Sequence, residues 1–261
     1  MNQVSELENL QNKFYNYCKQ GNLENAKEIY NKFKTLYENE SITIPIVNTY
    51  DTPLFCYICR YTINLDLIKW ISSLDDFKIE IDKEKKYIFI DINKYITTEI
   101  IKFILTLDYK PSIDDINESF INSCSENNLD IAKWLLTLDY KPSIDNICKS
   151  FINACRNNNL DISKWLVTLD DINKIDKKTD CIYKAFIEVC VVGYLDMAKW
   201  ILTLDGNLNI RNNNDEAFRC AYKNNNAFIA EWLTTLCDEY YIDYEVKILK
   251  CCIDNDDINI N

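Results

Sequence analysis

The sequence predicts an all-α protein, built as a solenoid of about seven degenerate helical hairpins. Three observations favour this fold class: a six-residue block ending in Leu-Asp recurs along the chain, only three Gly and four Pro punctuate 261 residues, and 48% of the residues are hydrophobic. Short helices joined by brief links need few turn residues, and this hydrophobic content is typical of a folded chain rather than a disordered one.

The recurring block sets the period. Its clearest copies are Phe-Ile-Leu-Thr-Leu-Asp (103–108), Trp-Leu-Leu-Thr-Leu-Asp (134–139), Trp-Leu-Val-Thr-Leu-Asp (165–170) and Trp-Ile-Leu-Thr-Leu-Asp (200–205), with looser copies at 70–75 and 232–237. Successive copies are about 31 to 35 residues apart, a spacing typical of helical repeat proteins. An earlier copy around Asn22-Leu23-Glu24-Asn25-Ala26-Lys27 indicates that the array starts near residue 5.

Each repeat carries the same predicted core positions in its first helix. A Phe stands nine positions before the second helix, at Phe14, Phe89, Phe120, Phe151, Phe186 and Phe218, and Leu54 is expected to fill this place in the second repeat. A Cys follows four positions later at Cys18, Cys124, Cys155 and Cys190. Residues four apart share one helical face, so both positions are expected to point into the stack.

The turn positions repeat as well. Gly21, Asn127, Asn158, Gly193 and Asn225 precede the second helix by two positions, and Gly and Asn adopt positive φ with the least strain. An Asp follows each second helix, at Asp75, Asp108, Asp139, Asp170 and Asp205, and is expected to take the left-handed conformation that ends a helix. A link containing Pro111 then separates neighbouring repeats.

This arrangement resembles the ankyrin family. The segment Thr52-Pro53-Leu54-Phe55 is similar to the family's Thr-Pro-Leu-His opening, with Phe in place of His, and the phrase Leu-Asp-Ile-Ala-Lys-Trp (129–134) resembles ankyrin-repeat proteins of mimivirus-like giant DNA viruses that infect amoebae. The resemblance implies an ankyrin-type solenoid whose links project as fingers. Tetratricopeptide repeats have a similar period but tighter links, so the extended link around Lys110 argues against them.

The register of the repeats predicts the domain organisation. Residues 1–40 are expected to form an N-terminal capping hairpin, residues 41–239 the ankyrin-like repeats, and residues 240–261 a C-terminal capping helix and tail. Repeat boundaries are expected near residues 41, 83, 114, 145, 180 and 212. In the third repeat, Tyr87-Ile88-Phe89-Ile90-Asp91-Ile92 could form a strand, but the register favours a helix.

Composition argues against catalysis and against several ligand classes. The chain has no His, which removes the commonest general base and a common zinc ligand. Its formal net charge is -12, so it is expected to repel nucleic acid. The sequence has neither an apolar run of about 18 residues nor a signal peptide, so we expect no membrane span and a cytoplasmic location, with its twelve cysteines reduced.

Three residue patterns have the form of ligand or metal sites, but each is better explained by a structural role. Cys56 and Cys59 have the spacing of a redox or zinc motif, but no second pair or His accompanies them, so buried thiols are the preferred interpretation. The Trp series (Trp70, Trp134, Trp165, Trp200, Trp232) is interpreted as packing between repeats rather than as a ligand-stacking ladder. Asp residues some 31 positions apart cannot together coordinate calcium. We therefore expect no catalytic residue, cofactor or metal.

The resemblance implies that the concave side of the solenoid, formed by first helices and fingers, binds a partner protein. Carried onto this sequence, the partner-binding residues are expected to be Ser125, Glu126, Arg156, Asn157, Val191, Val192, Tyr194, Lys223 and Asn224 near the turns, and Tyr109, Lys110, Tyr140 and Lys141 in the fingers. Val191 and Val192 form an apolar pair at a place expected to face solvent, which is typical of an interface centre.

The sequence thus favours a non-enzymatic scaffold or adaptor, monomeric in isolation, that acts in the cytoplasm of a host cell if the protein is viral. The alternative is a structural or virion-associated component that assembles with itself. The identity of the partner does not follow from the sequence.

Overall fold

The computed structural model describes residues 3–38, 54–62, 64–90, 96–138, 142–169, 178–206 and 208–236. Within these ranges the regular structure consists of fourteen α-helices and one short 3-10 helix, and no strand is present. The helices follow one another as packed pairs, which confirms the all-α fold class. The chain divides into two compact units, Met1–Lys141 and Pro142–Asn261.

The first unit contains four hairpins. Their helices are α1 (Gln3–Lys19) with α2 (Leu23–Glu38), α3 (Leu54–Tyr61) with α4 (Leu65–Ser72), α5 (Lys78–Ile90) with α6 (Thr98–Leu105), and α7 (Ile113–Ser125) with α8 (Leu129–Leu135). A 3-10 helix, Asp75–Phe77, precedes α5. The first helix of each hairpin packs on the first helix of the next, in the order α1, α3, α5, α7.

The second unit contains three hairpins. Their helices are α9 (Ile144–Arg156) with α10 (Leu160–Val167), α11 (Lys178–Val192) with α12 (Leu195–Leu202), and α13 (Asn212–Lys223) with α14 (Ala227–Thr235). The first helices α9, α11 and α13 again pack in sequence. The backbone of α13 is left-handed at Asn213, Asn214 and Asp215, so its right-handed part begins at Glu216.

All five predicted turn residues have positive φ. The values are 70° at Gly21, 59° at Asn127, 60° at Asn158, 95° at Gly193 and 60° at Asn225. Gly and Asn are the residues that reach this conformation with least strain. The predicted positions of the five turns are therefore confirmed.

The predicted core positions are buried. Six first-helix phenylalanines, Phe14, Phe89, Phe120, Phe151, Phe186 and Phe218, are at most 4% exposed, and Cys18, Cys124, Cys155 and Cys190 are fully buried. A small Cys at this place fills the interior without holding neighbouring helices apart. In the second hairpin the place nine residues before α4 belongs to Cys56 rather than to Leu54, although both side chains are buried. The expectation for Leu54 was therefore wrong in register.

Tryptophan joins consecutive hairpins. The ring centroid of Trp70 lies 6.4 Å from that of Phe14, and those of Trp200 and Trp232 lie 6.2 Å and 6.4 Å from those of Phe151 and Phe186. In each pair the Phe belongs to one hairpin and the Trp to the following one. For Trp70, Trp200 and Trp232 these contacts confirm packing between consecutive hairpins, at distances where aromatic pairs attract each other.

Two further expectations are only partly met. Of the Asp residues that follow second helices, Asp108 has the expected positive φ of 59°, whereas Asp75 opens the 3-10 helix and the carbonyl of Asp205 accepts a turn hydrogen bond from Leu208. Asp139 and Asp170 lie outside the described residues. Four boundaries agree with the starts of α7, α9, α11 and α13 within two residues, but the boundary near 83 falls inside α5, which begins earlier, at Lys78. The boundary near 41 and the segment 240–261 lie outside the described residues.

The third hairpin is helical through Ile90, so the helix interpretation of residues 87–90 is confirmed against the strand alternative. Ile88, Phe89 and Ile90 are all buried, because α5 lies between α3 and α7 and packs on both. The adjacent apolar residues that resemble a strand therefore reflect burial on more than one side.

Gly193 provides a test of the turn geometry. A Cβ atom at this position would lie 2.5 Å from Oδ1 of Asn226, and φ is already 95°. We expect Gly193→Val to lower the free energy of unfolding by ~2 kcal/mol or more, because backbone strain adds to the displacement of Asn226. Urea unfolding followed by circular dichroism measures the change.

Two substitutions serve as controls for Gly193→Val. Asn127→Gly keeps the left-handed turn, and Gly206→Ala adds a methyl group where no atom lies within 4 Å, so both are expected to stay within about 0.5 kcal/mol of the wild type. Equal effects of Gly193→Val and Gly206→Ala would contradict the assigned geometry.

Candidate interaction surface

The predicted partner-binding residues of the second unit lie at the C-terminal ends of first helices and in the turns that follow, which we call the turn surface. Its members are Arg156 and Asn157 after α9, Val191, Val192 and Tyr194 around the end of α11, and Lys223 and Asn224 after α13. Val191 and Val192 are half-buried and the other five are exposed. The apolar pair is thus less exposed than the sequence led us to expect.

Hydrogen bonds hold neighbouring turns together in this unit. Nδ2 of Asn226, the residue at the N-cap position of α14, donates to the carbonyl oxygens of Val191 at 2.5 Å and of Cys190 at 3.2 Å. The guanidinium Nε of Arg156 lies 3.5 Å from a carboxylate oxygen of Glu188 in the next hairpin. The turn after α11 is therefore fixed against the turn after α13, which brings Val191 close to Asn226.

Tyr194 occupies the N-cap position of α12. The equivalent residues of the other second helices are Asn22, Asn64, Thr97, Asn128, Asn159 and Asn226. At Asn64, Thr97 and Asn128 the side chain accepts a hydrogen bond from the backbone N–H three residues on. The N-cap residues of the second unit, Asn159, Tyr194 and Asn226, make no such bond, and Tyr194 differs from the two Asn residues in having no side chain suited to one. The side chain of Tyr194 is 38% exposed, so this N-cap position carries an exposed aromatic ring in place of a residue type that can cap.

The predicted residues of the first unit have a different environment. Ser125 is half-buried and Glu126 is exposed at the end of α7. Glu126 lines a recess of about 620 Å³ together with Glu99 and Asp130, near the N-termini of α6 and α8. The three carboxylates make this recess a negatively charged surface of hydrogen-bond acceptors.

Tyr109 and Lys110 belong to the link before α7. The hydroxyl of Tyr109 donates to Oδ2 of Asp115 at 2.9 Å, and its ring packs edge-on against Phe89 with centroids 5.5 Å apart. Lys110 is exposed. Tyr109 is therefore held by structural contacts, and only Lys110 of this pair is freely presented. Tyr140 and Lys141 lie outside the described residues.

Asp115 organises this link. It is 5% exposed, forms a capping box with Ser112, and pairs with Nζ of Lys86 at 3.0 Å. Burial alone raises the pKa of Asp115, but hydrogen bonds from the backbone and side chain of Ser112, from Lys86 and from Tyr109 outweigh it and lower the pKa to about 2. The carboxylate thus stays charged at neutral pH and anchors the start of α7.

The described residues show neither a metal cluster nor a membrane-spanning helix. No group of three or more Cys, Asp or Glu side chains is placed to hold a metal ion among them, and none of their helices is long and apolar enough to cross a bilayer. Cys56 and Cys59 are both buried and free of disulfide bonds, as the sequence interpretation expected. Burial, followed by the charge of Cys56, raises the pKa of Cys59 well above its usual value.

One expectation about cysteine is wrong. Cys148 of α9 and Cys181 of α11 form a disulfide bond, although they stand 33 positions apart in sequence, and their Cα atoms are 5.8 Å apart. Sequence periodicity did not reveal this pair, because Cys148 and Cys181 stand three and five positions before Phe151 and Phe186. Only the packing of α9 against α11 places the two sulfur atoms together.

Comparisons of the chain with family models, with curated proteins and with solved structures give no match.

The Asp115 network predicts a pH dependence of stability. The pKa is about 2 in the folded chain against an ordinary value of 3.8, so the stabilisation is complete above about pH 5 and is lost as the pH falls through the folded pKa. We expect Asp115→Asn to lower the free energy of unfolding by ~1–2 kcal/mol at pH 7, and the gap from the wild type to close toward pH 2.

Urea unfolding curves recorded between pH 2 and pH 7 test this prediction. The matched control is Asp114→Asn, which alters the exposed neighbouring carboxylate. A gap for Asp115→Asn that stays constant down to pH 2, or that Asp114→Asn reproduces, would show that the network does not have this role.

Proposed function

We propose that this chain is a non-catalytic protein-interaction scaffold, an ankyrin-type repeat protein that binds a partner protein through the turn surface of its second unit. The sequence of hairpins, with a repeated core and left-handed Gly or Asn turns, supports the ankyrin-type assignment. The same regularity supports a binding role, because repeated core positions leave the turn positions free to differ between hairpins.

Tyr194 is the observation that carries the proposal. Its backbone angles, φ -90° and ψ 85°, nearly match those of Asn128, φ -96° and ψ 75°, so an Asn fits this position. An N-cap Asn contributes on the order of 1 kcal/mol over a residue that cannot cap. A tyrosine that gives up this stabilisation and exposes its ring next to Val191 and Val192 is typical of an interface anchor.

The apolar and charged residues of the turn surface indicate the chemistry of the partner. Tyr194, Val191 and Val192 offer an apolar centre, and Lys223 adds an exposed positive charge at its margin, where Arg156 is paired with Glu188. A partner protein with an apolar side chain flanked by carboxylates complements this arrangement. The positive margin is local, since the whole chain carries a net charge of -12.

Self-assembly is the second candidate, and Phe228 is the observation that favours it. This side chain is 82% exposed in the first turn of α14, where the second helices of the other six hairpins carry Asp or Glu. An exposed aromatic residue at the last described hairpin offers a contact to a second copy. Concentration-dependent sedimentation of the wild type that Phe228→Asp abolishes would select this candidate.

The scaffold proposal predicts opposite effects of one substitution on stability and on binding. Tyr194→Asn should raise the melting temperature by a few degrees, since it adds an N-cap worth ~0.5–1 kcal/mol. The same change should reduce partner capture at least about tenfold by removing the anchor. Thermal unfolding and quantitative affinity capture from a cell lysate, measured on the same samples, give both values.

The reciprocal control for Tyr194→Asn is Asn128→Tyr in the first unit, which removes a side-chain cap on the N–H of Ile131 and should destabilise the fold without improving capture. If Tyr194→Asn instead lowers the melting temperature, the tyrosine serves packing. If capture by Tyr194→Asn is unchanged, Tyr194 is not the anchor.

A further inference from the structure

The disulfide between Cys148 and Cys181 joins the first helices of two consecutive hairpins in the second unit. Helices α9 and α11 already pack against each other. The covalent bond therefore adds a crosslink to an existing non-covalent contact and closes a loop of 33 residues.

The other described cysteines of this unit are protected from oxidation. Cys155 and Cys190 are fully buried, and burial raises the pKa of each thiol to about 12. Burial also raises the pKa of the half-buried Cys220. Since the thiolate is the reactive form of cysteine, a raised pKa lowers the reactivity of these three side chains at neutral pH.

The disulfide itself is accessible from solvent through a cavity. Cys148 and Cys181 both line a recess of about 270 Å³ between α9 and α11, beside the 41% exposed side chain of Ile144. Cys148 is half-buried, whereas Cys181 is only 5% exposed. An attacking thiolate therefore reaches the sulfur of Cys148 more readily than that of Cys181.

The walls of this recess carry charges of both signs. Lys149 and Asp145 line it from α9, and Lys184 and Asp180 line it from α11, with the last two ion-paired at 3.0 Å. A small thiol that carries both an amine and carboxylates, such as glutathione, matches a recess of this size and mixed charge.

We propose that the Cys148–Cys181 pair is a thiol–disulfide exchange site, through which low-molecular-weight thiols open and close a crosslink between α9 and α11. In the opening direction, a glutathione thiolate attacks Sγ of Cys148, the Cys148–Cys181 bond breaks, and the Cys181 thiolate leaves and takes a proton from water. A second glutathione thiolate attacks the sulfur of the bound glutathione, which releases glutathione disulfide and the Cys148 thiolate. Two electrons pass from two glutathione molecules to the protein disulfide, and the reverse sequence restores it.

Closing the crosslink stabilises the second unit by restricting its unfolded state. For a loop of this length the chain-entropy model corresponds to a rise in melting temperature on the order of 10 °C. The conformation of the hairpins is expected to change little, since α9 and α11 pack in contact in either state.

The test uses the full-length protein equilibrated with mixtures of glutathione and glutathione disulfide over a range of ratios. Differential alkylation with peptide mapping measures the oxidised fraction of the pair, and thermal unfolding measures stability in parallel. We expect Cys148 and Cys181 to pass from linked to free thiols within this range, with a fall in melting temperature that follows their reduction.

Matched variants separate this pair from the remaining cysteines. Cys148→Ser/Cys181→Ser should show no redox-dependent shift, whereas Cys220→Ser should behave like the wild type. If the double variant fails to fold, the peptide map of the wild type still shows whether Cys148 and Cys181 change between linked and free thiols. A pair that remains free at every ratio, remains linked at every ratio, or changes state without any shift in melting temperature would overturn the proposal.

Discussion

Within each unit, the described hairpins bury their apolar faces against the hairpins next to them, and the rest of the structure depends on this constraint. Most of the second helices contain seven to nine residues, and isolated helices of that length are unstable in water. The aromatic contacts between consecutive hairpins, such as those of Phe14 with Trp70 and of Phe186 with Trp232, supply the missing burial. Stability therefore comes from stacking, and the core positions must recur in every repeat.

The same constraint leaves the side chains in the turns free to differ between hairpins. A residue in the turn between two helices is tied to the core only through its backbone conformation, which Gly193 or Asn225 satisfies with a positive φ. Side chains next to these residues can change without disturbing the stack. At Tyr194 this freedom coincides with a residue that cannot cap and with an exposed aromatic ring, and the binding proposal rests on these two features together.

Features set by local chemistry were predictable from the sequence, and features set by packing were not. The left-handed turns follow from the residue types Gly and Asn, and the buried Phe and Cys follow from helical periodicity. In the second hairpin the Phe position was assigned to Leu54 instead of Cys56. The helix α3 has only eight residues, and its Thr-Pro-Leu-Phe opening favoured Leu54 as the matching residue. The Cys148–Cys181 bond depends on how α9 packs against α11, which repeat spacing does not specify.

The candidate site was predictable in position but not in detail. The sequence located Val191, Val192 and Tyr194 near a turn. It did not show that Asn226 fixes this turn from the next hairpin, or that Tyr109 is engaged by Asp115. Both contacts join residues whose proximity depends on the fold. The replacement of Asn by Tyr at position 194 was visible in the sequence, and comparison of the N-cap positions across the repeats would have revealed it.

The most direct test of the account is whether charge placed on the turn surface removes a bound protein while the fold persists. Val191→Asp/Val192→Asp introduces two carboxylates at the proposed interface centre, and Lys164→Asp makes the same change in net charge on the exposed side of α10. Proteins captured from a cell lysate and quantified by mass spectrometry are compared among wild type and both variants, with helicity followed by circular dichroism. We predict full helicity for both variants, and loss of the captured protein with the double variant alone, because unpaired carboxylates are costly in a desolvated interface. Undiminished capture with intact helicity, or loss of helicity in the double variant, would contradict the assignment of this surface.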